Sequence, residues 1–206
     1  MRPSLSLQRK LYAHQKRQIA RHVQTASAPF RAYQRRYERA TRRYRSILAP
    51  RQVDARVAGA DIVYVGDYHT LKAAQAAYLQ LAEHALRTER RVVLALEFVE
   101  HRHQAALDAW LRGRLSARTF LSRIGHAPTG TAELWRGFLP VLEFARRHRL
   151  GALAIDRRAR GPRSLQLRDE NAARIVARAA KAEDRPLVLV LMGQFHVAPS
   201  HLPREV

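Results

Sequence analysis

Ionisable side chains follow the predicted β-strands of this sequence, and one short motif follows two of them. The first strand runs into Gly66-Asp67-Tyr68-His69 and the fourth into Gly193-Gln194-Phe195-His196, so the pattern Gly-x-x-His occurs twice. The second strand ends at Glu97 and the third at Asp156. Ligands of open parallel sheets bind just beyond the carboxyl ends of the strands. We therefore predict a chemical site that contains Asp67, His69, Glu97 and His196.

Two imidazoles among carboxylates are suited to a small set of reactions. His69, Glu97 and His196 have the donor types that hold a divalent metal and activate water. Without a metal, a histidine beside a carboxylate can act as a general base in the hydrolysis of an ester or amide. An acid close to other acids in a partly buried crevice should have a raised pKa. Tyr68 is a candidate axial ligand for ferric haem. The alternative is structural, with these side chains only capping strand ends and helix starts.

Strand and helix patterns alternate from residue 61 onwards. Short apolar, β-branched runs predict strands at 61–65, 91–96, 151–155 and 186–192. Apolar residues at helical spacing predict helices at 71–86, 101–112, 116–123, 134–148 and 167–181. Continuous apolar strands that alternate with helices are typical of a parallel sheet covered on both faces. The predicted fold class is therefore α/β, with one domain over residues 60–206.

Residues 1–59 predict a basic helical extension. Residues 1–60 contain 15 Lys or Arg and 2 Asp or Glu, whereas the remainder contains 23 and 15. Helices are predicted at 5–23 and 30–48, the second ending before Pro50, with its tyrosines on one face among arginines. One hypothesis is that residues 1–50 bind an anionic membrane surface or nucleic acid. The other is that the tyrosines pack on the domain while the arginines are solvated.

Composition limits the remaining possibilities. The 206 residues include no cysteine, which excludes disulfides, thiolate ligands and a lipid-modified cysteine. No apolar run is long enough for a signal peptide or a membrane span, so we expect a location in the cytoplasm or peripheral to a membrane. The sequence stops ten residues after His196, where an α/β sheet often continues. We therefore expect either a truncated sequence or a domain that ends early.

Five motifs in order between about residue 60 and residue 203 resemble the ChaN-like family, the haem-binding uptake group of the Tiki and erythromycin-esterase superfamily. They are DIVYVGDYHTLKAAQ, VVLALEFVEHRHQAALDAWLRGRLSARTFL, the Trp135 segment ending in VLEFARRHRLGALAID, RDENAARI and LMGQFHVAPSHLP. Relatives have Gly-Glu-x-His where this chain has Gly66-Asp67-Tyr68-His69, so the side chain of its acid is one methylene shorter. Glu97 and His196 match family positions, and Arg168-Asp169 matches an Arg-Asp pair at a helix start.

The resemblance implies a parallel α/β domain and two possible activities. ChaN-type relatives bind haem as a stacked pair across a dimer with tyrosine ligation, which implies a haem or similar planar ligand and self-association. The residues expected to contact that ligand are His69, Arg168, Asp169, Gln194, His196 and a tyrosine. We take this tyrosine to be Tyr68, which lies beside the site, rather than Tyr64 inside the strand. Tiki-type relatives are metal-dependent hydrolases, and erythromycin esterases use His and Glu without a metal. These relatives imply a hydrolase of a small-molecule substrate as the alternative.

Overall fold

A four-stranded parallel sheet forms the centre of the structure. This computed structural model describes residues 10, 13–14, 27–42, 48–68, 71–125 and 132–206. The strands are β1 (Ile62–Asp67), β2 (Val92–Glu100), β3 (Gly151–Asp156) and β4 (Leu187–Gly193), and their order across the sheet is β1-β4-β2-β3. The predicted α/β fold with a parallel sheet is confirmed.

Helices cover both faces of the sheet. The described helices are α1 (Ala28–Thr41), α2 (Pro50–Ala58), α3 (Lys72–Ala85), α4 (Gln104–Leu111), α5 (Ala117–Arg123), α6 (Ala132–Arg147), α7 (Ser164–Ala180) and α8 (Leu202–Glu205). The chain crosses the sheet in one direction from β1 to β3 and in the opposite direction from β3 to β4. Because parallel crossovers are right-handed, this reversal places α7 on the face opposite α3–α6. None of the described helices is long and apolar enough to cross a bilayer.

The two central strands carry the core. Every residue of β4 from Leu187 to Met192 is buried, and so is every residue of β2 from Val92 to Glu97. Leu94, Leu96, Leu189 and Leu191 face the α3–α6 layer, where Tyr78, Phe120 and Leu142 are fully buried. Ala95, Val188, Val190 and Met192 face α7. The continuous apolar runs of the sequence therefore reflect burial on both faces.

The two largest differences from the predicted element boundaries are at the ends of α1 and β2. The helix expected at 30–48 ends at Thr41, and Pro50 begins the separate helix α2 because the first turn of a helix does not need the N–H that proline lacks. β2 continues to Glu100, with a change of register against β3 between Leu96 and Glu100. Glu97 therefore lies within β2, where its pairing with β3 is interrupted. The predicted helix at 5–23 falls almost entirely outside the described residues.

The outer edge of β3 is closed by side chains. The amide of Gln104 donates to the carbonyl oxygen of Ala152 at 2.8 Å and accepts from the N–H of Ala154 at 2.7 Å. The Nδ1 atom of His101 lies 3.2 Å from the carbonyl oxygen of Ala154. These contacts occupy the main-chain groups that a further strand would need.

Candidate functional site

The carboxyl ends of the strands bring charged side chains together around Glu97. Arg168, in the second turn of α7, donates from Nη2 to Glu97 at 2.5 Å and from Nε to Asp156 at 2.6 Å. The backbone N–H of Gly193 donates to the other carboxylate oxygen of Glu97. Arg168 therefore bridges the acids of β2 and β3, and the end of β4 holds the first of them in place.

Burial and charge shift the pKa values in this cluster. Burial raises the pKa of Asp156 and the nearby charge of Glu97 adds to that increase, although the hydrogen bond from Arg168 opposes it. Burial lowers the pKa of Arg168, but its attraction to Glu97 and Asp156 outweighs this and raises the pKa overall. The sequence predicted a raised pKa for an acid in this crevice, and Asp156 has one.

His196 is held by a second carboxylate. Its Nδ1 atom lies 2.5 Å from Asp169 Oδ1, and both side chains are about 95% buried. Because a carboxylate only accepts hydrogen bonds, Nδ1 carries the proton in the neutral ring and Nε2 keeps its lone pair. Nε2 lies 3.8 Å from Glu97 Oε1, so Asp169 orients the ring and its free nitrogen faces the Glu97 cluster.

Tyr33 of α1 completes this network, although sequence reasoning did not place it in the site. Its hydroxyl donates to Asp169 Oδ2 at 2.7 Å and lies 2.9 Å from His196 Nδ1. Burial raises the pKa of Tyr33 far above its ordinary value, and the charge of Asp169 raises it further. The phenol is therefore a neutral donor. The only feature of the sequence that pointed to Tyr33 was its helical spacing with Phe30 and Tyr37. That spacing is the same for a tyrosine of a functional site and for one that only packs.

Aromatic contacts fix α1 on the turn that follows β4. The ring of Tyr33 stacks on His201 with centroids 3.7 Å apart, and Phe30 and Tyr37 meet Phe195 edge to face. His201 is 3% exposed. Tyr33 thus packs on the domain, while Tyr44, another tyrosine of the predicted helix at 30–48, lies outside the described residues.

The side chain of Asp67 is hydrogen-bonded to a residue of α3. It is 3% exposed and accepts a hydrogen bond of 2.6 Å from Gln75 Nε2. Its carbonyl oxygen accepts the N–H of Gln194 at 2.9 Å, which ties the end of β1 to the turn that carries His196. Gly66 permits this approach, because a Cβ there would lie 3.2 Å from Gln194 Cα.

The candidate residues Tyr68 and His69 follow β1, and the structure describes only the first of them. Tyr68 is 48% exposed at the end of β1. His69 lies outside the described residues, so its pairing with His196 and the metal set His69, Glu97 and His196 stay predictions. Among the described residues, no group of three or more His, Asp or Glu is arranged to hold a metal ion.

The fold and the strand-end cluster define an α/β protein with a buried network of acids, arginine and histidine at the carboxyl edge of a parallel sheet. The profile of the family described as "Haem-binding uptake, Tiki superfamily, ChaN" matches residues 53–165, and the chain belongs to this family. The match contains Asp67, Tyr68, Glu97 and Asp156 and ends before Arg168. The resemblance of the motifs to the ChaN-like family is thus confirmed.

Solved structures share this fold at low sequence identity. One is described as "Cofacial heme binding to ChaN of Campylobacter jejuni", with a TM-score of 0.59 and 11% identity over 78% of this chain and 81% of that chain. Another is RRSP, a MARTX toxin effector domain from Vibrio vulnificus CMCP6, with a TM-score of 0.52 and 18% identity over 81% of this chain and 35% of that one. At these identities the likeness shows the fold alone. No curated protein sequence matches the chain.

Proposed function

We propose that this ChaN-family protein binds haem, or a similar planar ligand, on the surface beside the carboxyl end of β1, with Tyr68 as the axial ligand. The observation that carries the proposal is the exposure of Tyr68. It is 48% exposed and is the only exposed tyrosine among those the structure describes. A ferric ion coordinates the phenolate oxygen, which must therefore be accessible.

The other described tyrosines are unsuited to this role. Tyr33 is held by Asp169, and Tyr78 is fully buried and donates to the carbonyl oxygen of Leu189 at 2.9 Å. Burial raises the pKa of Tyr64 to about 12, which opposes formation of the phenolate. Tyr37 is half-buried and packs edge to face on Phe195. Accessibility therefore favours Tyr68.

The surroundings of Tyr68 fit a haem. The N–H of Leu71 donates to the carbonyl oxygen of Tyr68 at 2.5 Å, which keeps the two side chains on one short turn. Leu71 is 53% exposed and offers apolar surface to a porphyrin, and the exposed Lys72 that follows could pair with a propionate. A bound haem would make this surface a site for haem binding or delivery, and Tyr68 would fix its orientation.

The likeness to the Campylobacter jejuni protein, described by its cofacial haem binding, supports this ligand and suggests self-association. Tyr68 lies on an open surface, and a haem bound there would expose one apolar face to water. A second copy of the chain with its own haem would cover that face. We therefore expect haem binding to promote dimer formation.

Titration with haemin tests the proposal. The wild-type chain should give a Soret band shifted from that of free haemin, and Tyr68→Phe should lose the charge-transfer band of a tyrosinate complex. Tyr64→Phe, four residues earlier and within β1, is the matched control and should bind as wild type does. Unaltered haemin spectra with the wild-type chain, or equal spectra for wild type and Tyr68→Phe, would refute the assignment.

A second candidate function, hydrolysis of an ester or amide, is favoured by the geometry of His196. Asp169 fixes the proton on Nδ1, and the lone pair of Nε2 faces the Glu97 cluster, as required of a general base that activates water. The residues for this role are His196 and Glu97, with Asp67 and His69 as the predicted partners from β1 and its loop. A divalent metal held by His69, Glu97 and His196 is the metal-dependent form of the same hypothesis.

Hydrolysis is tested with a panel of esters and amides, with and without added Zn²⁺ or Mn²⁺. Turnover should be lost in His196→Gln and in His69→Ala while the circular dichroism spectrum is retained, and Tyr68→Phe should keep it. Absence of turnover on the whole panel in all metal conditions would count against this candidate without affecting the haem proposal.

A further inference from the structure

A groove of about 950 Å³ runs along the outer edge of β3, between α4 and α7. Its apolar wall is formed by side chains of α4, the start of β3 and α7, namely Leu111, Leu150, Leu153 and Ile175. Tyr68, Glu97 and His196 are not among its lining residues. Gln104 already occupies the main-chain groups of Ala152 and Ala154, so an added β-strand is not the occupant that this groove fits.

The charge of the groove is strongly positive. Five arginines and one acid line it: Arg91, Arg112, Arg149, Arg174, Arg178 and Asp108. Asp108 already accepts a hydrogen bond of 2.8 Å from Gln104, and Arg91 is paired with Asp184. The other four arginines have no carboxylate partner among the described residues. The groove therefore offers guanidinium groups whose charge no neighbouring acid neutralises.

Helix ends account for part of this charge. Arg112 is the C-cap of α4, Arg178 is in the last turn of α7, and Arg149 follows α6. Cations at these positions offset the partial negative charge of the last carbonyl groups, equivalent to roughly half a charge for each helix. A net positive charge remains. Arg149 also has a φ of 52°, in the left-handed region that favours Gly or Asn, so its backbone conformation does not explain the choice of arginine.

We propose that this groove binds a small amphiphilic anion, whose apolar body lies on Leu111, Leu153 and Ile175 and whose carboxylate or phosphate pairs with the arginines that have no carboxylate partner among the described residues. The volume is within the range of about 300–1,000 Å³ that small-molecule sites occupy. Arginine forms bidentate hydrogen bonds with both kinds of headgroup. The site is separate from the surface around Tyr68, so the proposal goes beyond the haem proposal and does not depend on it.

Fluorescence titration with cis-parinaric acid tests the proposal, since its emission rises when it leaves water. The wild-type chain should bind the acid more tightly than its uncharged methyl ester, and added NaCl should weaken binding of the acid. Arg149→Asn should weaken binding by about tenfold, equivalent to about 1.4 kcal/mol. Asn tolerates the left-handed conformation, so this variant should keep the fold.

Arg185→Asn is the matched control. Arg185 also has a left-handed φ, of 41°, and lies outside the groove, so its replacement removes the same charge from a similar conformation elsewhere. This variant and Tyr68→Phe should bind cis-parinaric acid as wild type does, whereas Leu111→Gln should bind it more weakly. Binding to phosphatidylglycerol vesicles that Arg149→Asn weakens, without binding of the free acid, would identify a lipid headgroup as the source of the anion.

Three results would overturn the proposal. The first is the absence of binding to both the free acid and the vesicles. The second is equal affinity for the acid and its methyl ester, which would show apolar contact without recognition of charge. The third is an equal loss of affinity in Arg149→Asn and Arg185→Asn, which would show a dependence on net charge alone.

Discussion

Tyr33 donates a hydrogen bond of 2.7 Å to Asp169, a residue 136 positions further along the chain, and the two groups are buried together. The same carboxylate holds His196 through its other oxygen. The N-terminal helix α1 is thereby joined to the first turns of α7 and to the turn after β4. A residue outside the matched family segment 53–165 thus contributes to the most buried part of the candidate site.

Removal of the Tyr33 hydroxyl should lower the stability of the folded chain. Tyr33→Phe keeps the ring that stacks on His201 but leaves Asp169 with one donor fewer, and a hydrogen bond to a charged group contributes about 1.5–3 kcal/mol. We expect the free energy of unfolding in urea to fall by about that amount. Tyr64→Phe is the control, because no described group bonds the hydroxyl of Tyr64, and it should change stability by less than about 0.5 kcal/mol. Equal effects of the two variants would contradict the role assigned to the hydroxyl.

A side chain at residue 66 should separate the end of β1 from the turn that carries His196. A Cβ there would lie 3.2 Å from both Gln194 Cα and Val197 Cγ2, so Gly66→Ala forces backbone to move and should cost about 1–3 kcal/mol. At Gly151 a Cβ would meet only Val93 Cγ2, at 4.0 Å. Gly151→Ala should therefore be neutral or slightly stabilising. The melting temperatures of the two variants check this contrast, and a Gly66→Ala variant as stable as wild type would disprove the close approach.

Acid should weaken the folded state through His201. Burial lowers the pKa of this histidine below its ordinary value of 6.5, with nearby Arg36 and His196 acting in the same direction and the hydrogen bond to Phe195 and the charge of Asp169 opposing. Between the lowered pKa of the folded chain and the ordinary value, His201 is protonated in the unfolded chain and neutral in the folded chain. The contribution to stability is therefore complete above pH 6.5 and is lost as the pH falls through the lowered value in the folded state.

Urea unfolding between about pH 8 and pH 5 measures this dependence. His201→Phe keeps a ring against Tyr33 and cannot titrate, so its stability should fall less steeply with acid than that of wild type. His148→Phe, at an exposed histidine, should keep the wild-type slope. A slope unchanged in His201→Phe would assign the acid sensitivity to other groups.

The exposed arginines of α1 should determine any binding to phosphate-rich surfaces. Arg35 and Arg39 are exposed on this helix and Arg42 is exposed at its C-cap, while Tyr33 anchors the other side of the helix to the domain. We expect binding to RNA or to anionic vesicles that falls steeply with salt and is weakened by replacing all three with Gln. Replacing Arg114, Arg118 and Arg123 with Gln removes the same charge elsewhere and is the control. Equal losses in both triple variants would indicate a response to net charge only.

The sheet and its strand ends could be predicted because their signals are local. Uninterrupted apolar runs identify buried parallel strands, and the carboxyl ends of parallel strands meet at one edge, which explains why Glu97 and His196 are neighbours. The pairing of Tyr33 with Asp169 has no local signal, since a tyrosine at helical spacing looks the same whether it fills a core or donates to a buried acid. The hydrogen bond from Gln75, on the inner face of α3, to Asp67 likewise has no local signal in the sequence.

The closed edge of β3 has a consequence for how copies of this chain can meet. The amide of Gln104 mimics a short piece of a neighbouring strand, so sheets from two molecules cannot merge into one continuous sheet there without breaking two hydrogen bonds. That side of the molecule is protected against fibril-like stacking even though its groove is partly apolar. A dimer that joins two sheets edge to edge is therefore opposed at β3, and one uncharged side chain hinders the growth of a continuous intermolecular sheet from this edge.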